Sequence, residues 1–146
     1  MENISFYNGN EMPIVGLGTF RVENNDECKA SVKHAIESGY THIDTAMIYE
    51  NEHKVGEGIA EGLASTGLKR SDLFITSKLW LDDYGRKNVE TAYETSLKKL
   101  NLDYLDLYLM HWPGTDEALM IDTWQGMEDL YKAVSYTHLR AHETRG

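Results

Sequence analysis

At 146 residues the chain has room for one ordinary domain with a real core and too little for two. A formal charge of -10 argues against nucleic-acid or anionic-membrane partners, which need clustered Lys and Arg. No apolar run approaches the ~20 residues of a membrane span, a single cysteine (Cys28) excludes an internal disulfide framework, and the polar start ENISFYNGNE is unlike a signal peptide, so a cytoplasmic location is expected.

Ile4 to Met12 read as a hairpin turned at Asn8-Gly9-Asn10, because Asn-Gly tolerates positive φ at both turn positions. Pro13 opens the apolar run Ile14-Val15-Gly16-Leu17-Gly18-Thr19-Phe20, expected as a fully buried strand ending in a glycine-containing turn. Asn25 or Asp26 can cap a helix carrying Cys28, Val32, Ala35 and Ile36 at helical spacing, with Gly39 as its left-handed stop. His42 and Ile43 form a short strand running into Asp44, and Tyr49 stands in the loop that follows. Asn51 can cap a second helix with Val55, Ile59 and Leu63 on one face, closed by Gly67. Ser71-Asp72 make a turn before the strand Leu73–Thr76, which leads to Lys78. Beyond the loop LWLDDYGRKN, the residues Val89, Ala92, Tyr93, Ser96, Leu97 and Leu100 trace a third helix. Leu105–Met110 is the next strand, broken at His111-Trp112-Pro113-Gly114, and Trp124, Met127, Leu130 and Tyr131 share one side of a last helix.

A hairpin followed by about four βα units implies a parallel sheet with right-handed crossovers. The expected fold class is α/β, the N-terminal half of a (β/α)₈ TIM barrel, since a whole one takes ~250 residues. A doubly wound sheet would carry GxGxxG at its first turn, whereas Gly16-Leu17-Gly18-Thr19-Phe20-Arg21 lacks the third glycine. In a barrel the C-terminal strand ends and βα loops face the active site. Asp44, Lys78 and His111 fall there on neighbouring strands, with Tyr49 just beyond.

Taken singly, each has a plain structural reading: Asp44 a turn residue, Lys78 a solvated strand end, His111 a satisfied core histidine, Tyr49 ordinary packing. Their recurrence at one end of successive strands points instead to a site. A lysine ammonium against a phenol favours the phenolate, and a carboxylate keeps a half-buried lysine charged. A histidine can orient a carbonyl oxygen beside them. Such a group is a proton donor for a developing alkoxide. No metal is expected, because a metal-dependent hydrolase barrel would need His-x-His in its first strand and residues 14–20 hold no histidine.

MPIVGLGTF, HIDTAMIYENEHKVGEGI, LFITSKLW and LKKLNLDYLDLYLMHWP follow one another between about Met12 and Lys132. In that order they resemble the successive blocks of the aldo-keto reductases. The resemblance implies a barrel that reduces an aldehyde or ketone to the alcohol with NADPH, its partner a small-molecule carbonyl substrate and its parent protein a monomer. It implies Tyr49 as proton donor, Lys78 easing the ionisation of that phenol, Asp44 pairing with Lys78, and His111 orienting the substrate. Thr19, Phe20 and Asp44 would lie near the nicotinamide; Trp80, His111 and Trp112 would line the substrate pocket. The MPIVGLGT opening and LMHWP are most similar to bacterial reductases of small carbonyls such as methylglyoxal or diketogluconate.

The pattern stops near Lys132. Residues 1–132 are therefore expected as a partial barrel and 133–146 as a non-native or disordered tail: it is polar, with one leucine, and VSYTHLRAHET resembles a translated sequencing adapter. His138 and His142 are four apart, but Leu139 stands where a zinc-protease helix has glutamate. The family's second half supplies the remaining nicotinamide contacts and the basic residues for the 2′-phosphate, so this chain alone is expected to be inactive, with two open strand edges. The rival expectation is a non-catalytic half-barrel that binds nucleotide or a partner protein.

Overall fold

The computed structural model describes residues 2–7, 9–135 and, as backbone, 143–145. Strand β1 (Asn3–Ser5) pairs antiparallel with β2 (Glu11–Pro13), Ile4 opposite Met12. Gly9 at φ 86 and a 2.7 Å bond from the Phe6 N–H to the Asn10 carbonyl close the hairpin. Asn8, half of the expected Asn-Gly pair, lies outside the described residues. The hairpin packs near the N-terminal ends of the strands that follow: the Pro13 carbonyl is 3.3 Å from Nδ1 of His42, and the Phe6 ring lies 6.4 Å from Phe74.

Five parallel strands then stand in chain order: β3 (Leu17–Gly18), β4 (His42–Asp44), β5 (Phe74–Leu79), β6 (Leu107–Met110) and β7 (Glu143–Arg145). Helices α1 (Asp26–Glu37), α2 (Glu52–Thr66), α3 (Val89–Leu100) and α4 (Glu117–Ser135) fill the crossovers. Ile43 pairs with Leu17 on one side and Ile75 on the other, and Lys78 is level with Leu109. Ile43, Ile75 and Leu79 from the strands meet Val32, Ile36, Val55, Ile59, Val89, Leu100 and Met127 from the helices in one buried cluster. Each such side chain contributes about 1.5–3 kcal/mol of burial, which holds the helical layer on the sheet.

The local signals act as expected at α1, where the Asn25 side chain accepts from the N–H groups of Glu27 and Cys28 at 3.0 and 3.2 Å and Gly39 takes φ 101. Four expectations change. The run from Ile14 to Phe20 is not a buried strand: only Leu17 and Gly18 are extended partners, and Ile14, Val15 and Phe20 are 51%, 50% and 61% exposed, because among the described residues β3 pairs with β4 alone. Strand β5 runs past Thr76 to Leu79, drawn out by pairing with β6, so Lys78 lies inside the strand. Strand β6 starts at Leu107, since Asp106 is used otherwise: its carboxylate accepts the Ile75 N–H at 2.8 Å and faces Arg70 at 2.9 Å. Asn51 precedes α2 but makes no side-chain bond to it. At the far end α4 continues through Ser135, across the boundary drawn at Lys132, and Glu143–Arg145 pair with Leu107–Leu109. His138 and His142 lie outside the described residues.

Candidate active site

Strand β4 delivers Asp44 to the C-terminal end of the sheet, and the chain then makes a 3₁₀ turn over Met47–Tyr49 before Glu50, at φ 57, redirects it into α2. That reversal brings the Tyr49 ring back over the strand ends. Lys78 reaches the same place from β5, its side chain 12% exposed. Its ammonium donates to the Asp44 carboxylate and, at 3.0 Å, to the Thr45 carbonyl, and it stands 5.2 Å from the centre of the Tyr49 ring. His111 follows β6 directly, fixed by its own N–H on the Leu79 carbonyl at 2.9 Å.

The rings close around this core. His111 meets Tyr49 edge to face at 5.5 Å and Trp80 at 5.3 Å, while Phe20 packs on Tyr49 at 5.3 Å. Thr19 is buried, its hydroxyl donating to the Asp44 carbonyl at 3.2 Å. The structure thus brings together Asp44, Tyr49, Lys78, His111, Trp80, Thr19 and Phe20. Trp112 stands apart: it is 57% exposed and lines a cavity of about 230 Å³ with Leu81, Tyr84 and Leu119.

Burial holds the His111 imidazolium form down, and the Lys78 charge acts in the same direction, against the weaker pull of Asp44. The ring is therefore below the ordinary histidine range and neutral near pH 7. Its Nδ1 is buried with no hydrogen-bond partner among the described residues. An ammonium, a phenol and a neutral imidazole around one space suit an oxygen on which negative charge develops. Among the described residues no group of three His, Cys, Asp or Glu side chains could hold a metal ion, and no helix is long and apolar enough to cross a membrane.

Two contributors escaped the sequence reading. Asn51, fully buried, donates to the carbonyls of Thr19 and Val22 and accepts from Thr45. Tyr84 bonds through its hydroxyl to the Trp112 carbonyl and accepts the Trp112 N–H at 3.3 Å, tying the loop after β5 to the loop after β6. An asparagine at a helix start has a cap as its ordinary use, and a tyrosine in a polar loop carries no signal.

The family model described as the aldo/keto reductase family matches residues 14–137. The chain belongs to that family. This aldo/keto reductase chain is 49% identical over 146 residues to the glyoxal reductase of Bacillus subtilis, covering 97% of the chain and 51% of the relative. It is 43% identical over 144 residues to the methylglyoxal reductase DkgA of Salmonella typhimurium, covering 95% of the chain and 50% of the relative. The crystal structure of the Bombyx mori aldo-keto reductase AKR2E4 in complex with NADP matches with a TM-score of 0.84 at 41% identity, over 99% of this chain and 49% of that one. An aldo/keto reductase from Brucella melitensis matches at 0.85 and 38%, over 99% and 52%. The chain spans about half the length of the relatives it matches. Its hairpin and parallel βα units are a partial (β/α)₈ barrel.

Proposed function

We propose that this aldo/keto reductase chain carries the proton-delivering half of an NADPH-dependent carbonyl reductase, which converts an aldehyde or ketone to the alcohol. The observation that carries the reading is Lys78, held by Asp44, standing over the ring of Tyr49 with His111 edge-on to the same ring. NADPH, when bound, supplies the hydride. The chain's own residues fit its nicotinamide end: Asp44 keeps a part-exposed carboxylate beyond its bond to Lys78, Thr19 bonds to the Asp44 carbonyl, and Phe20 packs on Tyr49.

Each side chain then has one task. Neutral His111 donates from Nε2 to the carbonyl oxygen and fixes its direction. Tyr49 gives its hydroxyl proton to that oxygen as negative charge grows there. The Lys78 ammonium stabilises the phenolate left behind, and Asp44 and the Thr45 carbonyl keep the ammonium aimed at it. Trp80 walls the substrate side against His111, with Trp112 as an outer wall. The names of the Bacillus and Salmonella relatives support a small carbonyl or dicarbonyl as substrate.

The chain alone is proposed to be inactive, because it spans about half the length of its relatives and, among the described residues, β3 pairs with β4 alone. The test joins residues 1–132 to the second half of the Bacillus relative and compares Tyr49→Phe with the unaltered hybrid. We expect turnover to fall by about 10²–10⁴-fold with NADPH affinity unchanged. Equal turnover in both would remove Tyr49 from its role. A hybrid that binds NADPH without reducing any aldehyde would favour the non-catalytic binding module instead.

A further inference from the structure

The Asn51 side chain makes three hydrogen bonds, none of them to its own helix. Its amide donates to the Thr19 and Val22 carbonyls, both at 2.8 Å, and its oxygen accepts from the Thr45 hydroxyl at 3.3 Å. At 0% exposure, no water can replace these partners without the loops opening. The two carbonyls belong to the loop after β3, and Thr45 to the loop after β4. Asn51 therefore fastens one βα loop to the next.

Tyr49 lies inside this fastening. Thr45 and Asn51 bracket the 3₁₀ turn that carries it, so their bond closes that turn at its base. From the other side, Asn51 holds the backbone on both flanks of Phe20 and Arg21, the latter in the left-handed region at φ 60. This segment is anchored a second time, by the Thr19 N–H and hydroxyl on the Asp44 carbonyl. Phe20 is 61% exposed, with the Arg21 guanidinium 5.1 Å over its ring, and that ring stands 5.3 Å from the ring of Tyr49. The amide of Asn51, with the Val22 N–H on the Thr19 carbonyl at 3.2 Å, holds the turn from which that ring projects.

The geometry points to Asn51 as the positioning residue of the site: it sets the Tyr49 phenol through the closed turn beneath it and through the Phe20 ring beside it. The inference rests on Tyr49 being the proton donor only for its catalytic consequence; the clamp itself is a matter of geometry. Asn51 touches neither the reacting atoms nor the Lys78–Asp44 pair, so its loss should misplace the phenol while leaving the charged pair assembled.

Nuclear magnetic resonance on the 146-residue chain tests this. In the unaltered chain the two Asn51 side-chain amide protons should exchange with solvent at least about tenfold more slowly than those of exposed Asn24 and Asn101. Cross-peaks should join the Phe20 and Tyr49 rings. In Asn51→Ala, and in Asn51→Asp, whose carboxylate would face two carbonyl oxygens, those cross-peaks should vanish and the Tyr49 ring signals move, with backbone shifts in β5 and β6 preserved. A merely structural asparagine would lower the unfolding midpoint and leave the Phe20–Tyr49 contact in place; that result overturns the inference. If a variant does not fold, the exchange rates in the unaltered chain decide, and rates equal to those of Asn24 and Asn101 overturn it as well. In the hybrid barrel Asn51→Ala should lower kcat by about 10- to 100-fold with KM within twofold. Turnover that survives Tyr49→Phe, together with lost cross-peaks in Asn51→Ala, would sink the proton-donor reading and leave the clamp standing.

Discussion

Asp44, Lys78 and His111 could be found from sequence because each stands within one residue of the C-terminal end of a strand, and a parallel sheet sends such positions to one end. The residues that depend on three-dimensional closure were not legible in that way. Asn51 reads as a cap, and Glu52 reads as the first acidic residue of a helix, although it is 2% exposed and accepts from Ser77 at 2.8 Å and Ser96 at 3.1 Å. Burial pushes the Glu52 carboxyl above its ordinary value, with the two serine hydroxyls opposing. The fold therefore favours its protonated form. The stabilising contribution is present below the unfolded value and is lost as pH rises through the folded one. His42 and His111 have the opposite sign: burial lowers both, so stability is lost as pH falls through the ordinary histidine value of 6.5. Subtracting the stability curve of Glu52→Gln from that of the parent isolates the carboxyl. The difference should shift against the parent as pH rises above the ordinary carboxyl value of 4.5; a flat difference in chemical denaturation would show that the carboxyl titrates normally.

Among the elements, the helices were legible because their apolar residues recur at helical spacing and their ends carry asparagine and glycine. The register of the helices against one another was not. Helix α2 crosses α3 at Gly56, where an added Cβ would stand 2.4 Å from the Leu100 carbonyl oxygen. Backbone cannot give way as a side chain does, so Gly56→Ala should cost about 1–3 kcal/mol or more, read as a drop in the urea midpoint. Gly67→Ala meets open space but forces a side chain onto φ 75, and should cost nearer 1 kcal/mol. The strands were harder to read. An apolar run does not say how many neighbours it will have, which is why Ile14–Phe20 seemed buried. Nor does sequence show that Asp106, with a side chain 0% exposed, takes the Ile75 N–H on its carboxylate and faces Arg70. Asp106→Leu leaves that guanidinium without its charge partner and should destabilise by about 3–5 kcal/mol; a loss below 1 kcal/mol would mean that water reaches Arg70.

For the whole molecule, the alternation of strand and helix was enough to give a parallel sheet, and the four sequence blocks were enough to give the family. Half a barrel brings Asp44, Tyr49, Lys78 and His111 together, since all of them come from β4, β5, β6 and the loops that follow them. It does not close the sheet around them. We propose that this separation is functional: the acid–base group is assembled in this chain, and turnover needs the rest of the barrel. The most direct measurement is NADPH oxidation with methylglyoxal by the purified 146-residue chain, beside the same chain's residues 1–132 joined to the second half of the Bacillus relative. The account predicts no turnover by the chain and Tyr49-dependent turnover by the hybrid. Tyr49-dependent turnover by the chain alone, or a folded hybrid that is equally active as Tyr49→Phe, would contradict it.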